Sequence, residues 1–357
     1  MFVPLVVLLL TAALAAVNGA NDVSKGVATL AGSGVTRYRT AIIWGALTTL
    51  AGTLLSGLLA GRMLRLFTSG IVTARPSTAF TLAVICGAAG WVAVATLRRL
   101  PVSTTHAIIG SLIGAGVIYA PASVEWAALL PRLAGPLLLS IAASYILSAT
   151  LNRLLARARG AEADCVCVGT QALDAGVARV TQLSVVTGTA EECAGQGGYL
   201  RLDAQKLHWL SSGAVGFARG LNDGPKLVAL AAFVAGAYVS LNALLLCVAL
   251  AMFAGSLYAG RRVARVLAEG VVRMDHREGL LANLTTALLV GAGANFGLPM
   301  STTHVSTGAI AGVAGTDAGR LNHRTVRDLL FAWTLTPLAA GLIAAASYLA
   351  AVRLVYS

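Results

Sequence analysis

The sequence predicts an all-α protein that crosses a membrane many times and is built from two related halves. Its composition is the first reason, because 57% of the 357 residues are hydrophobic and 11% are charged, whereas about a quarter of a soluble protein is charged. The second reason is a series of apolar runs of about 20 residues, a length that crosses a bilayer as a helix. The third is a pair of polar motifs that each occur twice, about 200 residues apart.

The apolar runs form two sets of five segments. The first set is 2–30, 40–61, 77–97, 101–119 and 126–152, and the second set is 207–232, 239–260, 279–297, 299–315 and 328–352. They predict a first transmembrane repeat at 1–152 and a second at 207–357. Segments 101–119 and 299–315 are short and rich in Gly, Ser and Thr, so they either cross or form re-entrant hairpins. Re-entrant or broken helices at matching places in two halves are typical of a transport site.

The charged loops predict how the segments lie in the cell membrane. If all ten segments cross, five crossings in each half is an odd number, so the two halves are expected to have inverted topology. If 101–119 and 299–315 are re-entrant, the count changes and another segment must break. With ten crossings, most Lys and Arg fall in loops on the same side as the middle of the chain, and such loops stay cytoplasmic. Both termini are therefore expected to be extracytoplasmic. Residues 1–20 lack the basic start of a signal peptide and are interpreted as part of the first membrane segment.

The central segment, 153–206, is polar and is predicted to be a cytoplasmic loop or a small domain. A β-branched run at 177–187 allows a small strand-bearing domain, but a plain linker is the preferred interpretation. Its cysteines, Cys165, Cys167 and Cys193, lack the spacing of a usual zinc site and are expected to be free thiols in a reducing compartment. The net charge of +12 lies mainly between apolar spans, without interleaved aromatic residues, so no nucleic-acid partner is expected.

The first repeated motif is Pro-x-Ser-Thr-Thr-His, at 101–106 and again at 299–304. Proline favours the first turn of a helix, so each copy predicts a helix that begins near its serine. Free backbone N–H groups and hydroxyls at such a start can bind an oxyanion, or the hydroxyls can simply cap the helix. Two copies within apolar segments favour one composite anion site. The candidate anion-binding residues are Ser103, Thr104, Thr105, Ser301, Thr302 and Thr303.

Each copy of this motif ends in a histidine, His106 or His304. Either ring can hold the local backbone through hydrogen bonds, or it can change its charge near neutral pH. The structural role is the preferred interpretation. No second ligand lies nearby in sequence, so no metal site is expected beyond one for Na⁺.

The second repeated motif is Asn-Asp-x-x-Lys, which occurs once in each half. A carboxylate within an apolar segment is costly and usually marks the path of an ion or a proton. Asp22 and Asp223 are therefore candidates to bind sodium or to carry a proton. The alternative is a buried salt bridge between each aspartate and the lysine three residues later, Lys25 or Lys226.

With both motif pairs in this order, the chain resembles the PiT family of inorganic phosphate transporters. The matching pieces are Gly19-Ala20-Asn21-Asp22-Val23, Gly220-Leu221-Asn222-Asp223 and the doubled Pro-x-Ser-Thr-Thr-His, and the resemblance covers essentially the whole chain. It implies cation-coupled symport of phosphate, an inverted repeat, a transport part that moves against a scaffold, and a homodimer. It also implies phosphate contacts from the six hydroxyl residues with Asn21 and Asn222, and cation or proton roles for the two aspartates.

The family pattern continues Asn-Asp-Val-Ala-Asn, whereas this chain has a lysine three residues after each aspartate, Lys25 and Lys226. We hypothesise that these lysines compensate the charge of the anion in place of a bound cation, with protons as the coupling ion. The sequence thus predicts a secondary active symporter of inorganic phosphate, driven by a sodium or proton gradient and without a cofactor. A permease for sulfate or another tetrahedral oxyanion is the alternative. A phosphoester hydrolase would need an activated nucleophile or a metal cluster, so an enzyme is not expected.

Overall fold

The chain folds mainly into helices, as its composition predicts. The computed structural model describes residues 2–129, 131, 134–157, 165–175, 178–188, 198–315 and 317–356. The helices of the first half are α1 (Phe2–Asp22), α2 (Ser24–Gly32), α3 (Tyr38–Leu59), α4 (Gly61–Ser69), α5 (Thr78–Leu97), α6 (Thr104–Tyr119), α7 (Trp126–Leu129) and α8 (Gly135–Arg157). Those of the second half are α9 (Ala204–Ala235), α10 (Leu241–Gly270), α11 (His276–Phe296), α12 (Thr302–Gly312) and α13 (His323–Tyr356).

Seven helical stretches in the described part of the chain are long and apolar enough to cross a membrane. They are Phe2–Gly32, which joins α1 and α2, and Tyr38–Leu59, Thr78–Leu97, Gly135–Leu155, Leu241–Gly270, His276–Phe296 and His323–Arg353. Helix α9 is also long enough, at about 48 Å for its 32 residues, but it carries buried charges. Helices of this number, length and hydropathy are those of a multi-pass membrane protein.

The two helices that begin at the repeated Ser-Thr-Thr are shorter than a bilayer is thick. Helix α6 has 16 residues and α12 has 11, which correspond to about 24 Å and about 17 Å. The hydrocarbon core measures about 30 Å, so neither helix crosses it alone. Each packs against the helix that precedes it, α5 or α11. Of the two alternatives for segments 101–119 and 299–315, these lengths fit the re-entrant one, in which case the inverted topology requires another segment to break.

The first membrane segment is interrupted, and its counterpart in the second half is continuous. Helix α1 ends at Asp22 and α2 begins at Ser24, so the break is confined to Val23, directly after the Asn-Asp pair, and Val23 itself keeps helical backbone angles and donates to the carbonyl of Gly19. Helix α9 runs through its own Asn-Asp pair without a break, although it contains Pro225. A helix end leaves backbone carbonyls without their intrahelical partners. The two copies of this motif therefore lie in different backbone surroundings.

The central segment contains a small antiparallel sheet rather than a plain linker, which corrects the preferred interpretation. Its strands are β1 (Cys165–Ala175), β2 (Ala178–Gly188) and β3 (Gly198–Asp203), in the spatial order β2-β1-β3. Strand β2 covers most of the β-branched run that suggested a strand. Cys165 and Cys167 lie on β1, whereas Cys193 falls outside the described residues. The three strands pair their backbone N–H and C=O groups through hydrogen bonds. The β-branched run corresponds to only one of these strands, so it could not reveal the sheet by itself.

The two halves interlock through their first two membrane segments. Gly19 of α1 lies against the backbone of Met252 in α10, and Gly220 of α9 lies against the backbone of Thr49 in α3. Each approach is so close that a methyl group would not fit. The first helix of each half thus packs on the second segment of the other half. Small residues permit this close approach of backbones in membrane proteins.

The later segments repeat this exchange. Gly110 of α6 lies against the backbone of Pro337 in α13, and Gly308 of α12 lies against the backbone of Ile141 in α8. The helix after each Ser-Thr-Thr therefore packs on the last membrane segment of the opposite half. Both sets of contacts are therefore exchanged between the halves.

Several arginine-bearing loops meet at one end of the molecule. Arg99, after α5, lines a cavity of about 680 Å³ together with Arg261, Arg262 and Arg265 near the end of α10. A second cavity of about 390 Å³ shares Glu269 and Gly270 with the first and is also lined by Arg273 and Arg320. These arginines lie at the ends of apolar segments, in loops or in the last turns of α10, on the side that the charge distribution predicts to be cytoplasmic, and the fold brings them together.

Candidate functional site

The helices α6 and α12 begin where the repeated Pro-x-Ser-Thr-Thr-His motif predicts. Ser103 precedes α6, and its hydroxyl accepts a hydrogen bond from the backbone N–H of His106 at 3.2 Å. Ser301 precedes α12 and accepts from the backbone N–H of His304, also at 3.2 Å. Both serines are therefore helix caps. A capped helix start still directs the remaining N–H groups of its first turn outward, where an anion can bind.

The two helix starts meet, and each contacts the residue that precedes the other. The Thr105 hydroxyl donates to the backbone carbonyl of Met300 at 3.4 Å, and the Thr303 hydroxyl donates to the carbonyl of Val102 at 2.8 Å. Val102 and Met300 occupy the same place in the two copies of the motif, immediately before the serine. The structure thus joins the two copies into one cluster, as the sequence predicts.

Asn21, in the first Asn-Asp pair, holds the loop that leads into the first Ser-Thr-Thr. Its side-chain amide donates to the carbonyl of Leu100 at 2.9 Å and to the Thr96 hydroxyl at 3.0 Å. Its side-chain carbonyl accepts from the backbone N–H of Val102 at 3.1 Å. Two of these contacts fix the backbone of the α5–α6 connection, at Leu100 and Val102, and the third reaches the end of α5, so Asn21 positions the start of α6.

Asp22 connects the two halves. One carboxylate oxygen forms an ion pair with Lys25. The other accepts a hydrogen bond from the Thr302 hydroxyl at 3.2 Å and lies 3.4 Å from the Asn18 amide. Asn18 also donates to the Thr104 hydroxyl at 3.0 Å. Through these contacts, one aspartate links the start of α12 in the second half to the start of α6 in the first.

The second motif copy makes related but different contacts. The Asn222 amide donates to the carbonyl of Met300 at 3.0 Å and to Asp223 Oδ1 at 2.9 Å. The Lys226 ammonium donates to the Thr105 hydroxyl at 2.7 Å, and it lies 3.3 Å from the Met300 carbonyl and 3.4 Å from Asp223 Oδ1. Lys226 thereby contacts both copies of the Ser-Thr-Thr motif.

Arg219 belongs to the cluster, although neither motif includes it. Its guanidinium donates to the Thr49 hydroxyl at 3.3 Å and to Asn18 Oδ1 at 3.4 Å, and its Nε lies 3.7 Å from Asp223 Oδ2. The side chain is only 1% exposed. The signal in the sequence was a single arginine inside an apolar segment, four residues before an aspartate, since an ionisable residue in such a place is usually functional.

The cluster is closed to water and carries more positive than negative charge. No hydroxyl, amide or charged residue of the two motifs that was predicted to bind an ion is more than 4% exposed. Three buried cations, Lys25, Arg219 and Lys226, face two buried carboxylates, Asp22 and Asp223. A buried charge without a counter-charge is strongly unfavourable, so this formal surplus of one positive charge favours a bound anion.

Two acceptor atoms of the second copy have no hydrogen-bond donor among the described residues. They are Asn222 Oδ1 and Asp223 Oδ2, and the latter has Arg219 Nε at 3.7 Å. A buried polar atom without a partner normally costs about 1–3 kcal/mol. These oxygens are therefore available to a donor that a ligand brings.

The two histidines lie side by side behind the helix starts. The rings of His106 and His304 are 4.7 Å apart between centroids, and the His304 ring is 4.2 Å from that of Trp333. His304 Nδ1 lies 3.3 Å from the carbonyl of Leu137, and the Trp333 indole donates to the carbonyl of Pro101 at 3.1 Å. These contacts fit the predicted structural role. Within the described residues, no three His, Cys, Asp or Glu side chains are grouped to hold a metal ion.

Comparison with known proteins identifies the family. The model of the phosphate transporter family (PHO4) matches residues 18–344, which include both copies of both motifs. The chain belongs to this family. The match confirms the resemblance drawn from the motifs, and it places the chain in a family of transporters rather than of enzymes.

Relatives, two of them matched over nearly the whole chain, support this assignment. A protein of Rhizobium meliloti (strain 1021), described as a probable low-affinity inorganic phosphate transporter, is 27% identical over 346 residues, covering 94% of this chain and 92% of its own. A protein of Mycobacterium tuberculosis (strain CDC 1551 / Oshkosh) with the same description is 28% identical and covers 98% of this chain and 77% of its own. The low-affinity inorganic phosphate transporter PitB of Escherichia coli (strain K12) is 35% identical over 114 residues, which are 31% of this chain and 23% of its own.

A solved structure shows the same fold. It is described as the sodium-dependent phosphate transporter, and it matches with a TM-score of 0.79 over 98% of this chain and 99% of its own. The identity is 18%, so the likeness concerns the fold alone. It confirms the predicted fold class, a mainly helical protein with many membrane-spanning segments.

Proposed function

We propose that this protein is a secondary active transporter of inorganic phosphate and that phosphate binds between the starts of α6 and α12. The surplus positive charge of the closed central cluster is the observation that carries this proposal. Phosphate has one to two negative charges at neutral pH, and it would neutralise the surplus. The family assignment supports phosphate as the substrate.

The residues around the cluster suggest how phosphate is held. The N–H groups of the two helix starts and the hydroxyls of Ser103, Thr104 and Ser301 are neutral donors. The hydroxyls of Thr105, Thr302 and Thr303 donate to Met300, Asp22 and Val102 in this structure, and we propose that they turn to phosphate when it binds. Neutral donors at helix N-termini bind phosphate in many proteins. Asn21 and Asn222 keep the two starts in place through the hydrogen bonds described above. Lys25, Arg219 and Lys226 supply the positive charge.

The unpartnered oxygens of the second copy favour phosphate over sulfate. A phosphate with one proton has an O–H donor, which needs an acceptor, whereas sulfate at neutral pH has only acceptors. Asn222 Oδ1 and Asp223 Oδ2 are such acceptors, since the described residues give them no hydrogen-bond donor. We expect Asp223 Oδ2 to accept a hydrogen bond from the protonated oxygen of phosphate.

The exchanged packing of the two halves supports alternating access. We propose that the halves are inverted repeats, with both termini extracytoplasmic, the central sheet cytoplasmic and two copies of the chain forming a homodimer. In inverted repeats, a swap of conformations between the halves opens the site to the other side. Inward transport of an anion against a negative interior costs about 2.3 kcal/mol per charge at 100 mV. A co-transported cation, sodium or proton, offsets this cost.

The proposal is tested with purified protein in proteoliposomes and radiolabelled phosphate. We expect saturable uptake and phosphate–phosphate counterflow, stimulated by an imposed cation gradient and inhibited far more strongly by unlabelled phosphate than by sulfate. Thr105→Val and Thr303→Val should each lower uptake roughly tenfold, because each removes a hydroxyl that joins the two helix starts and that we propose turns to phosphate when it binds. Thr334→Val is the matched control, since Thr334 is exposed and its hydroxyl bonds only to its own helix.

Several results would contradict the proposal. Absence of saturable counterflow would exclude phosphate transport, and equal competition by sulfate would favour a general oxyanion permease. Uptake that responds to neither a sodium nor a pH gradient would exclude symport. A channel would equilibrate phosphate without accumulating it.

A further inference from the structure

Lysine is rare in this chain, and its positions are unusual. The sequence contains three lysines, Lys25, Lys206 and Lys226. Two of them stand at the same place in the two repeated motifs and are fully buried, with exposures of 0% and 1%. The side chain of Lys206 is 54% exposed. The ammonium group of lysine is a compact, strongly hydrated charge, so its burial at two equivalent places requires surroundings that replace water.

The Lys226 ammonium is surrounded by the oxygen types that bind a hard cation. Its neighbours are the Thr105 hydroxyl at 2.7 Å, the Met300 backbone carbonyl at 3.3 Å and the Asp223 carboxylate at 3.4 Å. Hydroxyl, carbonyl and carboxylate oxygens are the ligands that cations such as sodium and calcium take in proteins. Here a lysine nitrogen occupies the centre of that set.

Lys25 has an equivalent environment in the first half. Its ammonium pairs with the Asp22 carboxylate and lies 3.3 Å from both the side-chain and the backbone carbonyl of Asn21. The helix break at Val23 lies between Asp22 and Lys25. Carbonyls at the end of a broken membrane helix coordinate the transported cation in several transporter folds. The lysine nitrogen again takes the place of that cation.

We propose that Lys25 and Lys226 are tethered cations that fill the two cation positions beside the phosphate site, so that this chain transports phosphate without sodium. This inference rests on the proposed function and refines its coupling. A sodium ion at either position would lie against an ammonium group of the same charge, within a site that already holds more cations than carboxylates. The lysines are part of the chain, so they change position with the protein during the transport cycle and are not released. They therefore screen the charge of the anion without being transported. The proton remains as the coupling cation.

The test compares phosphate counterflow in sodium chloride with counterflow in choline chloride, using the purified full chain in proteoliposomes. The wild-type rates of counterflow in sodium chloride and in choline chloride should agree within twofold. The double variant Lys25→Asn/Lys226→Asn should be at least tenfold slower than wild type in choline, and sodium should restore it at least fivefold. The control Lys206→Asn should behave as wild type in both salts.

A second measurement does not depend on transport. Sodium chloride should raise the melting temperature of the double variant relative to choline chloride and leave that of the wild type unchanged. Equal shifts in both proteins would overturn the inference.

The two proposals fail in different ways. Absence of counterflow in either salt would reject phosphate transport itself. Wild-type counterflow that sodium stimulates fivefold or more would reject tethered cations while leaving phosphate transport intact. If the double variant does not elute as a folded, monodisperse protein, the sodium response of the wild type decides the question alone.

Discussion

The two copies of Asn-Asp-x-x-Lys have the same chemistry but different surroundings. In the first copy, both carboxylate oxygens of Asp22 and the side-chain oxygen of Asn21 have partners, and the helix breaks directly after them. In the second copy, the helix continues, and the side-chain oxygens Asn222 Oδ1 and Asp223 Oδ2 have no hydrogen-bond donor in the described part of the chain. We infer that the first copy mainly holds the structure and that the second presents free groups to the ligand.

One further position sharpens this comparison. Four residues before each aspartate, the first half has Asn18 and the second half has Arg219. The two side chains touch, with Arg219 donating to Asn18 Oδ1 at 3.4 Å. The surplus positive charge of the cluster therefore comes from a single place where the halves differ. The two copies of the site therefore differ in charge at one position, Asn18 against Arg219.

The largest expected effect is a loss of stability in the first copy of Asn-Asp-x-x-Lys, whose side-chain oxygens all have partners. Asp22→Asn leaves the buried Lys25 without its counter-charge, and breaking a buried ion pair in this way costs about 3–5 kcal/mol of folding stability. Asp223→Asn should cost less stability, because its cations lie farther away, at 3.4 and 3.7 Å. Instead, it should reduce the preference for phosphate over sulfate. Thermal unfolding in detergent and competition assays measure the two effects, and equal loss of stability would contradict the division of roles.

The next effect concerns the charge surplus. Arg219→Gln removes one positive charge and should reduce phosphate uptake by about 100-fold, since a hydrogen bond to a charged group contributes about 1.5–3 kcal/mol. Arg219→Lys, which retains the charge, should keep a larger part of the activity. Uptake into proteoliposomes at subsaturating phosphate is the measurement. Full activity of Arg219→Gln would mean that the surplus charge has no role in binding.

The smallest effect is expected where the halves are equal. Ser103→Ala and Ser301→Ala each remove one helix cap, and the cap hydrogen bonds have the same length of 3.2 Å. Each substitution should therefore cost about 1 kcal/mol, and the two costs should agree. Ser103→Asn and Ser301→Asn each retain a side chain that can cap the helix, and they serve as controls. A clear difference between the two positions would show that the asymmetry extends to the helix starts.

Much of the fold could be predicted because its signals are local. Apolar runs fix the membrane helices, and the order Pro-x-Ser predicts where α6 and α12 begin, since proline and a capping hydroxyl act within one turn. The repeat itself predicts that the two copies meet. The structure places all the predicted ion-binding residues in one cluster.

The remaining features depend on distant partners. The sequence marks Arg219 as an ionisable residue in an apolar segment, but not its acceptors, Thr49 and Asn18, which lie about 170 and 200 residues away. A proline within a helix normally breaks or kinks it. Here α9 continues past Pro225, whereas the first membrane segment, which has no proline at the equivalent place, is interrupted at Val23. Packing against the opposite half decides these details. The central sheet, likewise, depends on pairing between three strands.

The exchange of contacts between the halves has a consequence for biosynthesis. Gly52 of α3 lies against Phe217, and Gly19 of α1 lies against Met252, so helices of the first half gain their native neighbours only after the second half is inserted. Synthesis of the intervening chain takes roughly 10–40 s at the usual rate of elongation. During that time, the glycine surfaces of the first helices face lipid or the insertion machinery. The protein therefore matures as a single unit, and neither half completes its packing before the other is made.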